Sequence, residues 1–374
     1  MRIEIILDCV ELTLYKNITH LEPRKKILVA PLNFGLGHAT RCIPIIEALE
    51  NHGYEPIIAS NGASLHLLQK EFPHLASAEL PHYQPEHTKK DALINPKSVP
   101  QLIRMFSAIR RERRAVSQLV AQYNISGIIS DTRLGAYHPG LPAVIITHQV
   151  NVLCGNTSGL ASRINRIYFK KFTQCWVPDV KDSPNLSGKM GHTEETIPNL
   201  KYIGTLSRLH KTNAESRLYD LAVLLSGPEP YRTQLEQRIM AELQGYEGTA
   251  VVIRGLIQDG QHVSHNGNIT TYNYMDSAGL EETLNRSELV LCRPGYSNIM
   301  DLAKLCKKAF FIPVPGSAEQ EYLARKLKKA TLAPYAKQDS FRIRDLEKAP
   351  LYKGLRDING LGKWKDLFSL FEGK

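Results

Sequence analysis

The stretch Ile27-Leu-Val-Ala-Pro-Leu-Asn-Phe-Gly-Leu-Gly-His38 runs straight into Ala39-Thr-Arg-Cys-Ile-Pro-Ile-Ile-Glu-Ala-Leu-Glu-Asn51. Its first residues are apolar without alternation, the pattern of a strand covered on both faces and hence of a parallel sheet. Two glycines follow, and apolar residues then recur at helical spacing over Ala39–Asn51. Strand, glycine loop and helix in that order open a doubly wound α/β domain. Ligands in such sheets bind beyond the carboxyl ends of strands, so this loop is placed to touch one. Gly35 and Gly37 permit close backbone approach. The helix start turns free N–H groups toward an anion, and His38 stands there as a group able to take a proton near neutral pH. An ordinary βα turn with a capping histidine reads the same residues in a blander way.

The same grammar continues outward. Further strands are expected at Pro56–Ser60, Gly127–Asp131, Ala143–Thr147 and Cys175–Pro178. A second set is expected at Leu221–Ser226, Ala250–Arg254, Ile269–Asn273, Leu289–Cys292 and Ala309–Val314. Helical stretches such as Ser297–Lys307 supply the right-handed crossovers between them. Two αβ sets in sequence imply two doubly wound domains, as the 374-residue length also suggests. The boundary falls near Lys181–Asn213, which carries Pro184, Gly188, Gly191, Pro198 and Gly204 among polar residues. Residues 1–24 precede the first strand as an extension. We divide the rest into 25–205 and 206–374. No internal repeat of 20–50 residues is evident.

Composition excludes several classes. With 43% hydrophobic and 22% charged residues the chain is neither disordered nor fibrous. Apolar runs such as Ala222–Leu225 fall far short of the roughly 20 residues that span a bilayer. Ile3–Leu7 is interrupted by Asp8 and Glu11, unlike a secretory signal. Cys9, Cys42, Cys154, Cys175, Cys292 and Cys306 form neither a CxxC pair nor a Cys/His cluster. They read as reduced thiols of a cytoplasmic protein, with no metal centre. The formal charge of +10 comes without a zinc-finger, RNA-recognition or helix-turn-helix pattern, so no nucleic acid is expected. It suits an anionic substrate such as a nucleoside diphosphate, or an anionic membrane surface.

Two more loops carry polar groups at expected helix starts. Cys292-Arg-Pro-Gly-Tyr-Ser-Asn-Ile-Met-Asp301 comes directly after a strand. Gly295 and the helix start form a second anion cradle, Ser297 and Asn298 can donate to phosphate, and Asp301 can accept from ribose hydroxyls. After the next strand, Pro313-Val-Pro-Gly-Ser-Ala-Glu-Gln-Glu-Tyr322 places Gly316, Glu319 and Gln320 where they suit the hydroxyls of a sugar. A helix start favours acids for its dipole alone, which is the plainer explanation of each loop taken singly.

Taken together the loops resemble the GT-B glycosyltransferases, and most closely the family of the lipid II-forming N-acetylglucosaminyltransferase of peptidoglycan synthesis. Cys292–Asp301, with Arg293 in it, resembles that family's donor-nucleotide loop. Pro313–Tyr322 resembles its donor-sugar segment. Asn273-Tyr274-Met275-Asp276 matches the place where the family's backbone reads the uracil edge. Gly204-Thr-Leu-Ser-Arg208 is similar to its turn at the domain junction, and Gly35–His38 falls at its glycine-rich acceptor loop. Thr147-His148-Gln149-Val150-Asn151 resembles its His-Glu-Gln-Asn segment, so His148 and Asn151 are expected beside the acceptor. Ser226-Gly227-Pro228-Glu229 stands where the family has a serine-rich loop, which marks Ser226 and Gly227 as donor contacts. Ser130-Asp131-Thr132-Arg133 departs from that family and resembles instead the His–Asp dyad of the UDP-glycosyltransferase superfamily.

The resemblance implies two Rossmann-like domains facing across a cleft, with C-terminal helices crossing back. It implies an inverting transfer of N-acetylglucosamine or another hexose from a UDP-sugar. His38 is then the base and Asp131 its support, while helix N-termini with Arg208 or Arg254 neutralise the diphosphate. No Asp-x-Asp occurs, in keeping with metal-independent chemistry that needs no cofactor. Gln101–Gln122 reads as one helix in which Arg104, Arg110, Arg111, Arg113 and Arg114 accompany Leu102, Ile103, Met105, Phe106 and Ile109. It would suit docking on anionic lipid beside a lipid-linked acceptor, or simply a solvated basic helix on the sheet, with a small-molecule acceptor. Two rivals share the pattern. One is a UDP-N-acetylglucosamine 2-epimerase, which needs no acceptor. The other is a non-catalytic sugar-nucleotide sensor or partner protein, against which His38 with Asp131 argues.

Overall fold

A computed structural model describes residues 24–82, 99–153, 158–195, 197, 199–213, 216–358, 360 and 362–373. Cys9, Cys154 and all of the N-terminal extension but Arg24 lie outside these residues. Among them, the first sheet has seven strands in the order β3-β2-β1-β4-β5-β6-β7. These are β1 Lys26–Pro31, β2 Glu55–Ser60, β3 Ser77–Glu79, β4 Ile125–Asp131, β5 Ala143–Ile146, β6 Gln174–Val177 and β7 Leu200–Tyr202. Every pairing in this sheet is parallel. Ile27, Leu28, Val29 and Ala30 are wholly buried, because helices cover both faces. Helices α1 Gly37–Asn51, α2 Gly62–Glu71, α3 Val99–Tyr123 and α4 Ser158–Phe169 belong to this half.

The second sheet runs β10-β11-β9-β8-β12-β13, with β8 Tyr219–Leu224, β9 Ala250–Ile253, β10 Val263–Asn266, β11 Ile269–Tyr272, β12 Ser287–Cys292 and β13 Lys308–Phe311. Only the β10–β11 hairpin at its edge is antiparallel among the described pairings. Its helices include α5 Tyr231–Glu242, α6 Ser277–Asn285, α7 Tyr296–Lys304 and α8 Ala318–Lys329. The architecture is two doubly wound α/β units.

The two units meet through the loops that end their strands. Ser297 Oγ, in the first turn of α7, donates to the Gly37 carbonyl at the start of α1 at 2.7 Å. A side chain on Gly37 would put its Cβ 3.0 Å from that hydroxyl, so glycine permits the approach. The chain then returns. Helix α9, Trp364–Phe368, comes after the second sheet, yet Phe368 and Phe371 lie edge-on to Tyr54 of the first unit. Lys25 Nζ donates to the Glu372 carbonyl at 2.6 Å, and the Phe371 ring occupies the space over Gly127 of β4.

Candidate functional site

β1 and β4 are neighbours in the sheet, with Pro31 opposite Asp131. The loop leaving β1 therefore lies beside the end of β4. Gly35 holds φ +70, a left-handed turn that costs glycine little, and α1 begins two residues later. His38 consequently projects from the first turn of α1 with Nδ1 2.8 Å from Asp131 Oδ1. Its side chain keeps 14% of its surface exposed, whereas Asp131 has none.

A third residue, unforeseen from the sequence, completes the cluster. Arg41 lies one turn after His38 on the same helix face. Its Nε and Nη2 fork onto both oxygens of Asp131. Nη2 also lies 2.9 Å from His38 Nδ1, and Nη1 3.0 Å from His148 Nδ1. Burial by itself would raise the Asp131 pKa, but Arg41 and then His38 more than reverse it and hold the carboxyl far below the usual range. Burial lowers the His38 pKa. Asp131 pushes it back up and Arg41 down again, and the net direction is downward. A neutral imidazole against an ionised carboxylate results, the protonation state a general base needs.

Beyond β5, Thr147 Oγ1 accepts from the Gln149 N–H at 3.0 Å and so shapes the turn that presents His148. The imidazole stacks on the Tyr296 ring of α7, with centroids 4.5 Å apart and planes 5° from parallel. Its Nε2 lies 2.9 Å from Oε1 of Glu319 in the first turn of α8, and Gln149 Nε2 donates to Oε2 at 2.6 Å. The expected acceptor-side histidine and donor-sugar carboxylate thus touch across the two units. Asn151 does not join them. Its amide donates to the Lys189 and His192 carbonyls and its oxygen accepts from Arg166, so the side chain braces a loop and is withdrawn from the acceptor set.

On the donor side, Gly295 is the N-cap of α7 and Asn298 donates to the Arg293 carbonyl at 3.0 Å. Asp301 accepts from Ser207 Oγ at 2.6 Å. Burial pushes its pKa up to about 6 against the opposing pull of Arg208 and Ser207. Arg208 donates to Ser277 Oγ at 2.9 Å and pairs with Glu71 at 3.3 Å, while its buried Nε has no partner. Arg254 pairs with Glu236 and remains partly exposed. The Tyr274 hydroxyl meets Lys70 Nζ at 3.3 Å, and the Met275 side chain is core. Gly227 and Gly316 both take positive φ beside this face, Gly227 next to Ser226 at the end of the β8 loop. Gln320 Oε1 accepts from the Val314 N–H at 2.9 Å, so its side-chain carbonyl braces the loop.

Arg293 corrects the sequence reading. It is 1% exposed, and its guanidinium donates to the carbonyls of Ile312, Pro313 and Tyr231 and to Gln338 Oε1. Burial lowers its pKa to about 10. The residue ties strand-end loops together, and its Nη1 and Nη2 hydrogens are spent on the scaffold, while the buried Nε has no partner. Among the described residues no group of three or more His, Cys, Asp or Glu is arranged to hold a metal ion. The sequence pattern did not point to Arg41, Lys70 or Glu71, and it held Gln149 only as part of the Thr147–Asn151 segment. Only Arg41 had a local signal, its three-residue spacing from His38.

Residues 246–357 match the glycosyltransferase family 28 C-terminal domain. No curated protein matches the chain. Solved structures do. The glycosyltransferase SnogD from Streptomyces nogalater aligns with TM-score 0.58 at 13% identity over 88% of this chain and 91% of that one. Acinetobacter baumannii MurG aligns with TM-score 0.52 at 13% identity over 88% and 93%. The spinosyn rhamnosyltransferase SpnG, solved with thymidine diphosphate, aligns with TM-score 0.54 at 17% identity over 83% and 86%. At such identities the likeness to solved structures speaks for the fold, which is GT-B. With the family 28 domain in its second unit, the protein is a glycosyltransferase of GT-B type that takes its sugar from a nucleotide sugar.

Proposed function

We propose that the protein is an inverting, metal-independent hexosyltransferase that moves N-acetylglucosamine or a related hexose from a UDP-sugar to an acceptor hydroxyl. The observation that carries this reading is the neutral His38 held on Asp131, at the start of α1, directly opposite the N-terminus of α7. In this reading His38 Nε2 takes the acceptor proton as the hydroxyl attacks the anomeric carbon, and Asp131 stabilises the imidazolium that forms. The departing diphosphate lies at the α7 N-terminus, with Arg208 near the junction, and Asp301 takes the ribose. Glu319 and the Gln320 amide face the sugar.

The acceptor we favour is lipid-linked and met at the cytoplasmic face of a membrane. The support is the outer face of α3 and α4, where Ile103 and Ile167 are 62% and 61% exposed among arginines and lysines.

The test is His38→Ala. Turnover, measured as UDP release in an acceptor screen, should fall about 10²–10⁴-fold while UDP affinity holds. Full retained turnover removes His38 from the chemistry. Incubation with UDP-N-acetylglucosamine alone separates the 2-epimerase, which would form product without any acceptor.

A further inference from the structure

Arg41 belongs to none of the loop motifs that carry the family resemblance, yet it is the centre of a buried charge cluster. Its side chain is 2% exposed and sits between two imidazoles and one carboxylate. The groups facing His38 come from every neighbouring element. They are Arg41 of α1, Asp131 of β4, His148 beyond β5 and Glu319 of α8, with Cys42 and Thr132 touching Asp131 and Arg41 behind them.

Donor and acceptor rules fix the protons in this cluster. A guanidinium has N–H donors only. At 3.0 Å from Arg41 Nη1, the Nδ1 of His148 must therefore be the acceptor, and the single proton of the neutral ring is on Nε2. From there it is donated to Glu319 at 2.9 Å. Of the two Nη2 hydrogens, the close fork places one on Asp131 Oδ1, and Thr132 Oγ1 at 3.3 Å accepts the other, so the 2.9 Å approach to His38 Nδ1 needs no donation from Arg41. The His38 Nδ1 proton then also points to Asp131, at 2.8 Å, and Nε2 carries the lone pair. We propose that Arg41 is a positioning residue for the transfer, fixing the proton of His38 on Nδ1 and that of His148 on Nε2. One imidazole thereby offers its lone pair to the acceptor hydroxyl, and the other clamps Glu319 on the donor side.

The fixed charge has a second effect. Without it, a buried Asp131 would face His38 unneutralised and draw a proton onto the ring, giving an imidazolium–carboxylate pair that cannot act as a base. Arg41 satisfies the carboxylate first. The downward net direction of the His38 pKa agrees with this, with burial the larger cause and Arg41 adding to it. The proposal rests on His38 as the base, and its test reads protons directly so that the two can fail separately.

The experiment is a pH titration of the full chain labelled with 15N-histidine, with ring signals assigned through His38→Gln and His148→Gln. In the wild type, His148 should show one tautomer, protonated at Nε2, and neutral His38 should be protonated at Nδ1. In Arg41→Met the His38 midpoint should rise by about one pH unit or more, and His148 should become a mixture of tautomers. Arg41→Lys keeps the charge and loses the fork. It is the second variant should Arg41→Met not fold, and there the His38 midpoint should stay near wild type while the His148 tautomer is lost. A wild-type His148 protonated at Nδ1 overturns the proposal. So do unmoved signals for both rings in folded Arg41→Met, or an unmoved His148 in Arg41→Lys. Should His38→Ala retain UDP release while the spectra behave as expected, the base reading falls and the proton assignments stand.

Discussion

Asp301 is a carboxylate whose ionisation the fold resists, and that resistance can be measured in two ways. Its folded pKa of about 6 lies above the unfolded value of about 3.9. Its neutral form therefore favours folding below about pH 3.9, and that contribution is lost as pH rises through about 6. Asp301→Asn stays neutral throughout. Relative to wild type, the variant should gain about 1–3 kcal/mol of stability between pH 4 and pH 8, read from urea melts at the two pH values. Nucleotide binding should run the other way. A ribose hydroxyl donates more strongly to an ionised acceptor, so calorimetry should show wild-type affinity for UDP tightening from pH 5 to pH 7. The Asn variant should be flat over that range, and a flat wild type would take the ribose role from Asp301. Residues like this one were legible because a loop after a strand and a helix start announce themselves locally. Arg41 was not, since its partners Asp131 and His148 lie far along the chain and only the order of β1, β4 and β5 brings them to it. Arg293 was misread for a related reason, because its place in a donor-like loop says nothing of the carbonyls that converge on its side chain.

Elements were legible in proportion to how deeply they are buried. β1, β2, β4, β5, β6, β8, β9, β12 and β13 carry apolar runs, β11 is the half-buried Ile-Thr-Thr-Tyr, and the expected bounds of all ten differ from the observed ones by a few residues at most. β3 is Ser-Ala-Glu and β7 is Leu-Lys-Tyr, three-residue edge strands of the first sheet without an apolar run. β10 is Val-Ser-His-Asn, exposed along its whole length, and it pairs through a turn at Gly267. Short edge strands owe their existence to a neighbour's hydrogen bonds, which composition does not record. The returning C-terminal segment yields a prediction at this scale. Gly127 of β4 lies under Phe371, with Ile27 Cδ1 3.0 Å from where a Cβ would stand. Gly127→Ala must displace that ring and should cost about 1–3 kcal/mol. Phe371→Ala, which opens a cavity instead, should cost about 3–5 kcal/mol. The double variant should cost less than the two summed, because the alanine at 127 fills space the ring has left. Additive losses in denaturant melts would mean that the segment does not pack on β4.

At the scale of the whole molecule the question is what the basic surface meets. Among the described residues no helix is long and apolar enough to cross a membrane. The outer face of the first unit nevertheless combines two features that a solvated surface seldom joins. Helix α3 buries Met105, Ile109, Val116 and Leu119 against the sheet and uses Glu112 to hold the buried Arg133 at 2.7 Å. Its outer face leaves Ile103 and Phe106 in solvent. Phe106 stacks on Tyr168 of α4 at 6.5 Å, which joins the two helices into one surface that includes the exposed Ile167. Arg110, Arg111, Arg113, Arg114, Arg163, Lys170 and Lys171 are exposed on the same elements and just after them. Apolar side chains ringed by cations insert into a headgroup layer that carries negative charge, each cation contributing about 1 kcal/mol near the surface. The protein should therefore float with vesicles of phosphatidylglycerol and phosphatidylcholine and much less with phosphatidylcholine alone. Added salt should weaken the association, since it screens the ionic part. Ile103→Glu with Ile167→Glu should abolish flotation while leaving the melting temperature and UDP affinity as they are, because neither side chain is in the core or near the donor face. If the variant floats as well as the wild type, or if both ignore lipid charge, the arginines are a solvated face and the acceptor is met away from any membrane.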